Sequence, residues 1–84
     1  MTEDDVLEGI TRLIRRVSGG RIREDDPIER TWTIEQDPVG LDSLDFVELI
    51  VSIEEEYQVI AADHDLGAIV TVGDLEDAVR RWIG

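Results

Sequence analysis

Three stretches of the chain carry apolar residues at helical spacing, and the first covers residues 3–17. Its apolar positions mostly follow one another at intervals of three or four, which places them on one face of a helix. Ser18-Gly19-Gly20 comes directly after it, and glycine is typical of the point where a helix ends. The pattern therefore predicts helix 1 over residues 3–17. Its apolar stripe consists of Val6, Ile10, Leu13, Ile14 and Val17.

The second stretch, residues 43–57, carries apolar residues on two faces of a predicted helix 2. Asp42 precedes its first turn and Asp45 follows three positions later, which is typical of a helix N-cap. The stripe predicted to face the core consists of Phe46, Ile50, Ile53 and Tyr57, with Leu49 beside it. A domain this small rarely buries a helix on all sides, so apolar residues off that stripe indicate a face that meets a partner. They are Leu44, Val47 and Val51.

The third stretch, residues 72–83, is predicted to form the last helix. Thr71 and Asp74 stand at its start with the spacing of a capping box, and apolar residues follow at helical spacing. Between the second and the last helix, residues 61–68 indicate only a short helical turn. No stretch alternates apolar and polar residues for long enough to predict a sheet.

A long connection, residues 18–41, joins the first two predicted helices. Pro38 and the turn signal Asp25-Asp26-Pro27 interrupt it, yet so long a structureless loop is unusual in a compact domain. We expect its apolar side chains to fix it onto the helices: Ile22, Ile28, Trp32, Ile34 and Val39. The chain is therefore predicted to be one all-α domain over residues 1–84. It forms a small four-helix bundle, with three main helices, one short helix and a long loop between helices 1 and 2.

Composition excludes several classes of protein. The 84 residues include no cysteine, which excludes disulfides, thiolate metal sites and a cysteine nucleophile. The net charge of −13 has the wrong sign for nucleic-acid binding. No apolar run approaches the roughly 20 residues of a membrane span, and residues 1–5 resemble neither a signal nor a transit peptide. We expect a cytoplasmic protein that binds neither nucleic acid nor membrane.

The negative charge is concentrated in the second half of the chain. Residues 41–84 carry eleven acidic residues against two arginines, and residues 42–57 carry six acidic residues and no basic one. A solvated helix face and a docking surface for a basic partner both explain such a run.

Ser43 is the candidate chemical group, because it begins helix 2 between Asp42 and Asp45. A serine in this place is often only a helix cap. A hydrolytic nucleophile would need a general base, and His64 is the one histidine in a chain too small for an oxyanion pocket. We therefore reject a nucleophilic role and predict no catalytic residue.

A calcium loop is the other candidate, because Asp63, Asp65 and Asp74 share part of its spacing. Gly67 and Ala68 stand where such a loop needs an oxygen ligand and a glycine. We predict no metal site.

The segment Gly40-Leu41-Asp42-Ser43-Leu44-Asp45 resembles the attachment motif of the acyl carrier proteins. The residues that follow, 46–57, resemble the second helix of that family, and Thr71-Val72-Gly73-Asp74-Leu75 resembles the start of its last helix. Asp-Ser-Leu alone is a weak signal, but three such segments in this order and spacing are specific. The resemblance covers residues 39–83 well and residues 3–17 by pattern only, and it implies a carrier rather than an enzyme.

The resemblance implies that Ser43 carries a 4'-phosphopantetheine arm, added from coenzyme A by a phosphopantetheinyl transferase with Mg²⁺, and that Asp42 helps to hold this Mg²⁺. Acyl intermediates would be attached to the thiol of the arm as thioesters. The partners implied are acyl-loading, condensing and tailoring enzymes with basic docking patches. With the resemblance, the docking interpretation of the acidic run becomes the favoured one. The implied docking residues are Leu44, Asp45, Val47, Glu48, Val51, Glu54 and Glu55.

Several residues depart from the family's usual pattern. Pro38 precedes Val39-Gly40 where the family often has an acidic residue, leucine and glycine, Trp32 takes the place of a usual phenylalanine, and the loop is rich in arginine. These departures favour a dedicated carrier, as in polyketide or other secondary-metabolite biosynthesis, over a general fatty-acid carrier.

The cargo stays open at this point. An aminoacyl or peptidyl carrier is one alternative, and an acidic helical interaction domain that is never modified is another. We expect a free-standing monomer with a small apolar cavity for an acyl chain near Ile50, Ile53 and Val70.

Overall fold

The computed structural model describes residues 3–23 and 27–84 and contains four helices and no strand within them. The helices are α1 (Glu3–Val17), α2 (Ser43–Tyr57), α3 (Asp63–Leu66) and α4 (Val72–Ile83). The predicted all-α fold with three main helices and one short helix is confirmed, and α1, α2 and α4 have the predicted bounds. Helix α3 is shorter than residues 61–68. Asp25 and Asp26 of the predicted turn lie outside the described residues.

The core lies between α1, α2 and α4 and is built from the predicted stripes. On α2 the deepest residues are Leu49 and Ile53, whereas Phe46 and Tyr57 at the two ends of the predicted stripe are only half-buried. Gly19 and Gly20, with φ of 69° and 88°, end α1 in a conformation that glycine adopts at little cost. The largest fully buried side chains are Ile10, Leu13, Ile14, Ile34, Leu41, Leu49, Ile53, Leu75, Val39, Val72 and Val79.

The long loop is fixed to the rest of the fold by its apolar side chains, as predicted. Those of Ile22, Ile28, Ile34 and Val39 are buried, and Trp32 is half-buried. Burying one apolar side chain of this size stabilises the folded state by roughly 1.5–3 kcal/mol relative to leaving it in water. The loop is therefore a packed part of the domain rather than a linker.

Backbone hydrogen bonds also tie the loop to the start of α4, which no pattern in the sequence predicts. Thr33 and Thr71 form an isolated antiparallel bridge. On either side of it, the N–H of Ile34 donates to the carbonyl of Val70 at 2.9 Å, and the N–H of Val72 donates to the carbonyl of Trp32 at 2.9 Å. A single bridge leaves no alternation of apolar and polar residues in the sequence.

Arg30 adds an ionic contact at the same junction. Its Nε donates to Glu76 Oε1 at 2.6 Å and its Nη2 donates to Asp77 Oδ1 at 3.1 Å. Arg80, one turn along α4, also donates to Glu76. Burial on its own raises the pKa of Glu76, but the hydrogen bonds from Arg80 and Arg30 outweigh burial and hold that pKa below its ordinary value. Glu76 therefore stays ionised although its side chain is buried.

The start of α4 is capped as the sequence predicts. Asp74 N–H donates to Thr71 Oγ1 at 3.1 Å, and Asp74 Oδ2 accepts from the N–H of Thr71 at 3.1 Å. The N–H of Val70 also donates to Asp74 Oδ2, at 3.1 Å. The hydrogen bond from the Thr71 N–H, followed by the one from Val70, holds the pKa of Asp74 below its ordinary value. Among the described residues, no helix is both long and apolar enough to cross a membrane.

Candidate functional site

The N-terminus of α2 is held by a capping box between the two aspartates that flank Ser43. Asp42 is the N-cap, and its Oδ1 accepts from the N–H of Asp45 at 2.8 Å. In return Asp45 Oδ2 accepts from the N–H of Asp42 at 3.4 Å. The predicted capping pair is confirmed, and the helix begins at the next residue, Ser43.

Ser43 is exposed on the first turn of α2 and takes no part in this cap. The backbone N–H groups of Ser43 and Leu44 belong to the first turn of the helix, where no intrahelical acceptor exists. Free N–H groups and the positive end of the helix dipole favour an anion at this place. The serine oxygen therefore lies where a phosphate ester would be stabilised.

The chain leading into Ser43 is anchored from two sides. Leu41 is buried, and its N–H donates to the carbonyl of Ile34 at 2.9 Å. Gly40 has a φ of 57°, a left-handed conformation that favours glycine. Its carbonyl accepts from Arg21 Nη1 at 3.0 Å. The approach to the serine is therefore fixed by contacts of the first loop.

The second apolar set of α2 is exposed, as predicted. Leu44, Val47 and Val51 are 76%, 58% and 45% exposed, whereas Leu49 and Ile53 on the opposite face are fully buried. These three residues begin one position after Ser43 and extend along the helix. They form an apolar strip, Leu44–Val47–Val51, beside the serine.

The predicted acidic residues around this strip differ in their surroundings. Glu48 and Glu55 are exposed. Asp45 is half-buried in the capping box, and half-buried Glu54 accepts from the N–H of Ala61 at 3.0 Å through its Oε2. Asp45 thus also caps the start of α2, as predicted, whereas the bond of Glu54 to the segment after α2 was not indicated by the sequence.

A cavity of about 250 Å³ lies between α2, α3 and the first loop. Val70 lines it, as predicted, but Ile50 and Ile53 do not, because those side chains are buried in the core. Phe46 lines the cavity in their place, one turn from Ser43, so this part of the prediction was wrong by about one helical turn. The lining residues are Thr33, Ile34, Glu35, Phe46, Leu66, Gly67, Ile69 and Val70.

Asp65, which the sequence offered as a possible calcium ligand, is bonded to α4. Its Oδ2 accepts from Trp82 Nε1 at 2.9 Å, and its Oδ1 accepts from Arg81 Nη2 at 3.3 Å. The Trp82 hydrogen bond, more than Arg81, holds the pKa of Asp65 below its ordinary value. Among the side chains that the structure describes, those of residues 6–23 and 27–84, no three of His, Cys, Asp or Glu are grouped to hold a metal ion.

The sequence did not predict the contacts that Arg21 and Arg30 make. The density of arginine in the first loop was a visible signal, but a sequence does not say which carboxylate or carbonyl each guanidinium meets. The structure bonds Arg21 to the approach to Ser43 and Arg30 to α4.

A helical bundle with an exposed serine on a capped helix, beside an exposed apolar strip, matches what the resemblance to the acyl carrier proteins predicts. A family model described as the phosphopantetheine attachment site matches residues 8–79. The chain belongs to the acyl carrier protein family, and its cofactor is 4'-phosphopantetheine.

Curated relatives and a solved structure agree with this assignment. The chain is 35% identical over 81 residues to the meromycolate extension acyl carrier protein of Mycobacterium tuberculosis, covering 96% of this chain and 67% of that protein. The protein of the same name from Mycolicibacterium smegmatis is 34% identical over 80 residues, covering 95% and 77%. A solved Mycobacterium tuberculosis chain named as a candidate acyl carrier protein is 31% identical with a TM-score of 0.78, covering 92% of this chain and 97% of that one.

Proposed function

We propose that Ser43 is the residue that carries the 4'-phosphopantetheine arm. The observation that supports this most directly is the position of Ser43. It is exposed and begins α2, and Asp42 rather than Ser43 caps the helix. In the transfer, the serine oxygen forms a bond to the phosphorus that joins the arm to coenzyme A. The phosphoanhydride bond of coenzyme A breaks, the serine proton is lost and adenosine 3',5'-bisphosphate leaves, so a phosphodiester on the serine replaces that anhydride. The bound arm supplies the thiol that this cysteine-free chain lacks.

Asp42 is the residue proposed to help hold Mg²⁺ during the transfer. Its Oδ1 accepts from the N–H of Asp45, and the residue is exposed, so its carboxylate is accessible to a partner. Carboxylate oxygen is the ligand that Mg²⁺ prefers, usually with one or two carboxylates and substrate phosphates around the ion. The transferase would supply the remaining ligands, so no stable metal site is needed on the carrier.

Partner enzymes are proposed to dock on the apolar strip Leu44–Val47–Val51. Its exposure and the surrounding acidic rim of Asp45, Glu48, Glu54 and Glu55 support an interface with an apolar centre and a charged edge. The chemistry would then be done by these partners: the transferase first, then acyl-loading, condensing and tailoring enzymes. The carrier itself is proposed to act as a monomer without catalytic residues.

The cargo is proposed to be an acyl chain in a dedicated pathway. The relatives named above carry an extension role in their names, and the departures at Trp32 and Pro38 favour a specialised carrier. Fatty-acid-type and polyketide intermediates both fit this proposal. An aminoacyl cargo gains no support from the structure, since the cavity near Ser43 is lined mainly by apolar residues.

Loading in vitro tests the attachment site. The protein is incubated with coenzyme A, Mg²⁺ and a broad-specificity phosphopantetheinyl transferase, and the modified residue is located by mass spectrometry. One arm on Ser43, absent from Ser43→Ala, is the expected result. Modification at Ser18 or Ser52, or no modification at all, would sink the assignment and favour an interaction domain. If Ser43 is loaded as expected, the intact mass of the protein purified from its native host reveals the cargo on the arm.

Methyl chemical shifts test whether the cargo enters the cavity. A medium acyl chain on the arm should shift the methyl signals of Leu66, Ile69 and Val70 relative to the arm without an acyl chain. Signals of Ile10 and Ile14 in the core serve as the control, because those residues do not line the cavity. Equal shifts in both groups, or none in either, would show that the cavity does not hold the acyl chain.

A further inference from the structure

Arg21 connects the end of α1 to the segment that leads into Ser43. Its Nε donates to the carbonyl of Ser18 at 3.0 Å, and its Nη1 donates to the carbonyl of Gly40 at 3.0 Å. A guanidinium presents its donors in a rigid planar fork, so two such bonds fix the orientation of the whole group. The residue therefore acts as a brace between two parts of the chain that are not neighbours in sequence.

The third nitrogen of the same guanidinium is directed to the helix cap beside Ser43. Arg21 Nη2 lies 3.9 Å from Asp45 Oδ2, the oxygen that accepts from the N–H of Asp42. Arg21 thus lies against both the carbonyl of Gly40, three residues before Ser43, and the carboxylate of Asp45, two residues after it. Its charge is also the opposite of that of the two aspartates and of an incoming phosphate, whose mutual repulsion it lessens.

From these contacts we infer that Arg21 is a positioning residue for the modification of Ser43. The inference rests on the proposed attachment of the arm at Ser43. Arg21 contacts Gly40 and Asp45, and Ser43 lies between them, after the buried Leu41 and the N-cap Asp42. A displacement of even 1 Å of a reacting group can cost about 100-fold in rate, so loosening the brace should slow the transfer.

The sign of the expected effect separates this role from simple electrostatics. Removing any arginine makes the protein more acidic, which favours encounter with a basic transferase and should leave KM unchanged or lower it. Loss of positioning instead lowers kcat. Arg23, two positions along, is exposed and offers a matched control with the same change of charge.

The experiment measures kcat and KM of a phosphopantetheinyl transferase on the full chain for Arg21→Gln, Arg21→Lys and Arg23→Gln. Arg21→Gln should lower kcat by about tenfold relative to Arg23→Gln, without raising KM. Arg21→Lys keeps the charge near Asp45 and one donor, and its kcat should lie between these two. Circular dichroism and thermal unfolding establish that each variant is folded.

Two results would overturn the inference: a kcat for Arg21→Gln within twofold of Arg23→Gln, or a kcat for Arg21→Lys no better than that of Arg21→Gln. If Arg21→Gln does not fold, Arg21→Lys is compared with Arg23→Lys, and equal kcat values overturn the inference. Failure of the wild type to load at Ser43 would instead remove the proposed function itself.

Discussion

Gly9 of α1 and Tyr57 of α2 meet so closely that a β-carbon at position 9 would stand 3.1 Å from the Cζ of Tyr57 and closer still to its hydroxyl. That hydroxyl donates to the carbonyl of Val6 at 3.3 Å. The absence of a side chain at Gly9 is therefore what lets the end of α2 approach α1.

Gly9→Ala tests this packing because two effects compete. In an open helix the change would stabilise the protein by about 1 kcal/mol, but forcing a methyl group into a filled space costs typically 1–3 kcal/mol. We expect a lower free energy of unfolding, measured by urea titration followed by circular dichroism.

Two further variants control for this interpretation. Gly67→Ala should instead be neutral or stabilise by roughly 0.4–1 kcal/mol, because Gly67 has a φ of −69° and nothing within 4 Å of an added β-carbon. In a Tyr57→Phe background the penalty of Gly9→Ala should shrink. A stabilising Gly9→Ala in the wild-type background would contradict the close approach.

The two proposed roles of Asp42 can be separated by two substitutions. Asparagine is as good an N-cap as aspartate, so Asp42→Asn should keep the stability of the protein, whereas Asp42→Ala should lower it by about 1 kcal/mol. Both variants lose the carboxylate that is proposed to help hold Mg²⁺, and both should be loaded more slowly at limiting Mg²⁺.

The control for Asp42 is Asp63→Asn, which makes the same change of charge at an exposed residue of α3. Its loading rate should equal that of the wild type. If Asp42→Asn is also loaded at the wild-type rate across a Mg²⁺ titration, Asp42 is only a helix cap.

Docking on α2 predicts a salt dependence that differs between its rim and its centre. Glu48→Arg should lower kcat/KM of the transferase most strongly at low salt, because exposed charges act mainly on association and are screened over about 8 Å at physiological ionic strength. Val51→Asp should lower kcat/KM with less dependence on salt, because it removes apolar contact.

Glu29→Arg serves as the matched control for Glu48→Arg, since Glu29 is also exposed but belongs to the loop between α1 and α2 and not to α2 itself. Circular dichroism checks folding, which both α2 variants should retain, because Glu48 and Val51 lie on the exposed face. If Glu48→Arg and Glu29→Arg react alike at every salt concentration, the acidic run is only a solvated face.

The lowered pKa of Glu76 predicts how its contribution to stability depends on pH. The unfolded chain takes up this proton near the ordinary pKa of 4.5, and the folded chain only at lower pH. Stability from Glu76 is therefore fully present above about pH 4.5 and is lost as the pH falls through the folded pKa. Glu76→Gln should cost about 1–2 kcal/mol at pH 7, since it removes a charged partner of half-exposed Arg30.

Urea unfolding of the wild type and Glu76→Gln at several pH values between 7 and 3.5 checks this prediction. The difference between the two proteins should shrink below pH 4.5. A constant difference over the whole range would show that the Glu76 carboxylate makes no net charge-dependent contribution.

The sequence predicted best where several signals coincided. At the start of α2, a capping pair, an apolar stripe and a motif all indicated the same boundary, and the helix does begin at Ser43. Prediction from the sequence failed for features that depend on the volume left between side chains or on contacts between residues far apart in the chain. The direction of the Phe46–Tyr57 stripe does not say where space is left, so the cavity was placed too far along α2. Charge density likewise did not say that Arg21 meets Gly40 and Asp45.

The bridge between Thr33 and Thr71 has a consequence for how the domain folds. Each helix can begin to form from contacts between residues close in sequence, whereas this bridge requires closing a long stretch of chain first. The hydrogen bonds around Trp32, Ile34 and Val70 should therefore form late in folding and exchange their amide protons early. An otherwise helical protein thus carries, at this one junction, the slow non-local step that is characteristic of β-structure.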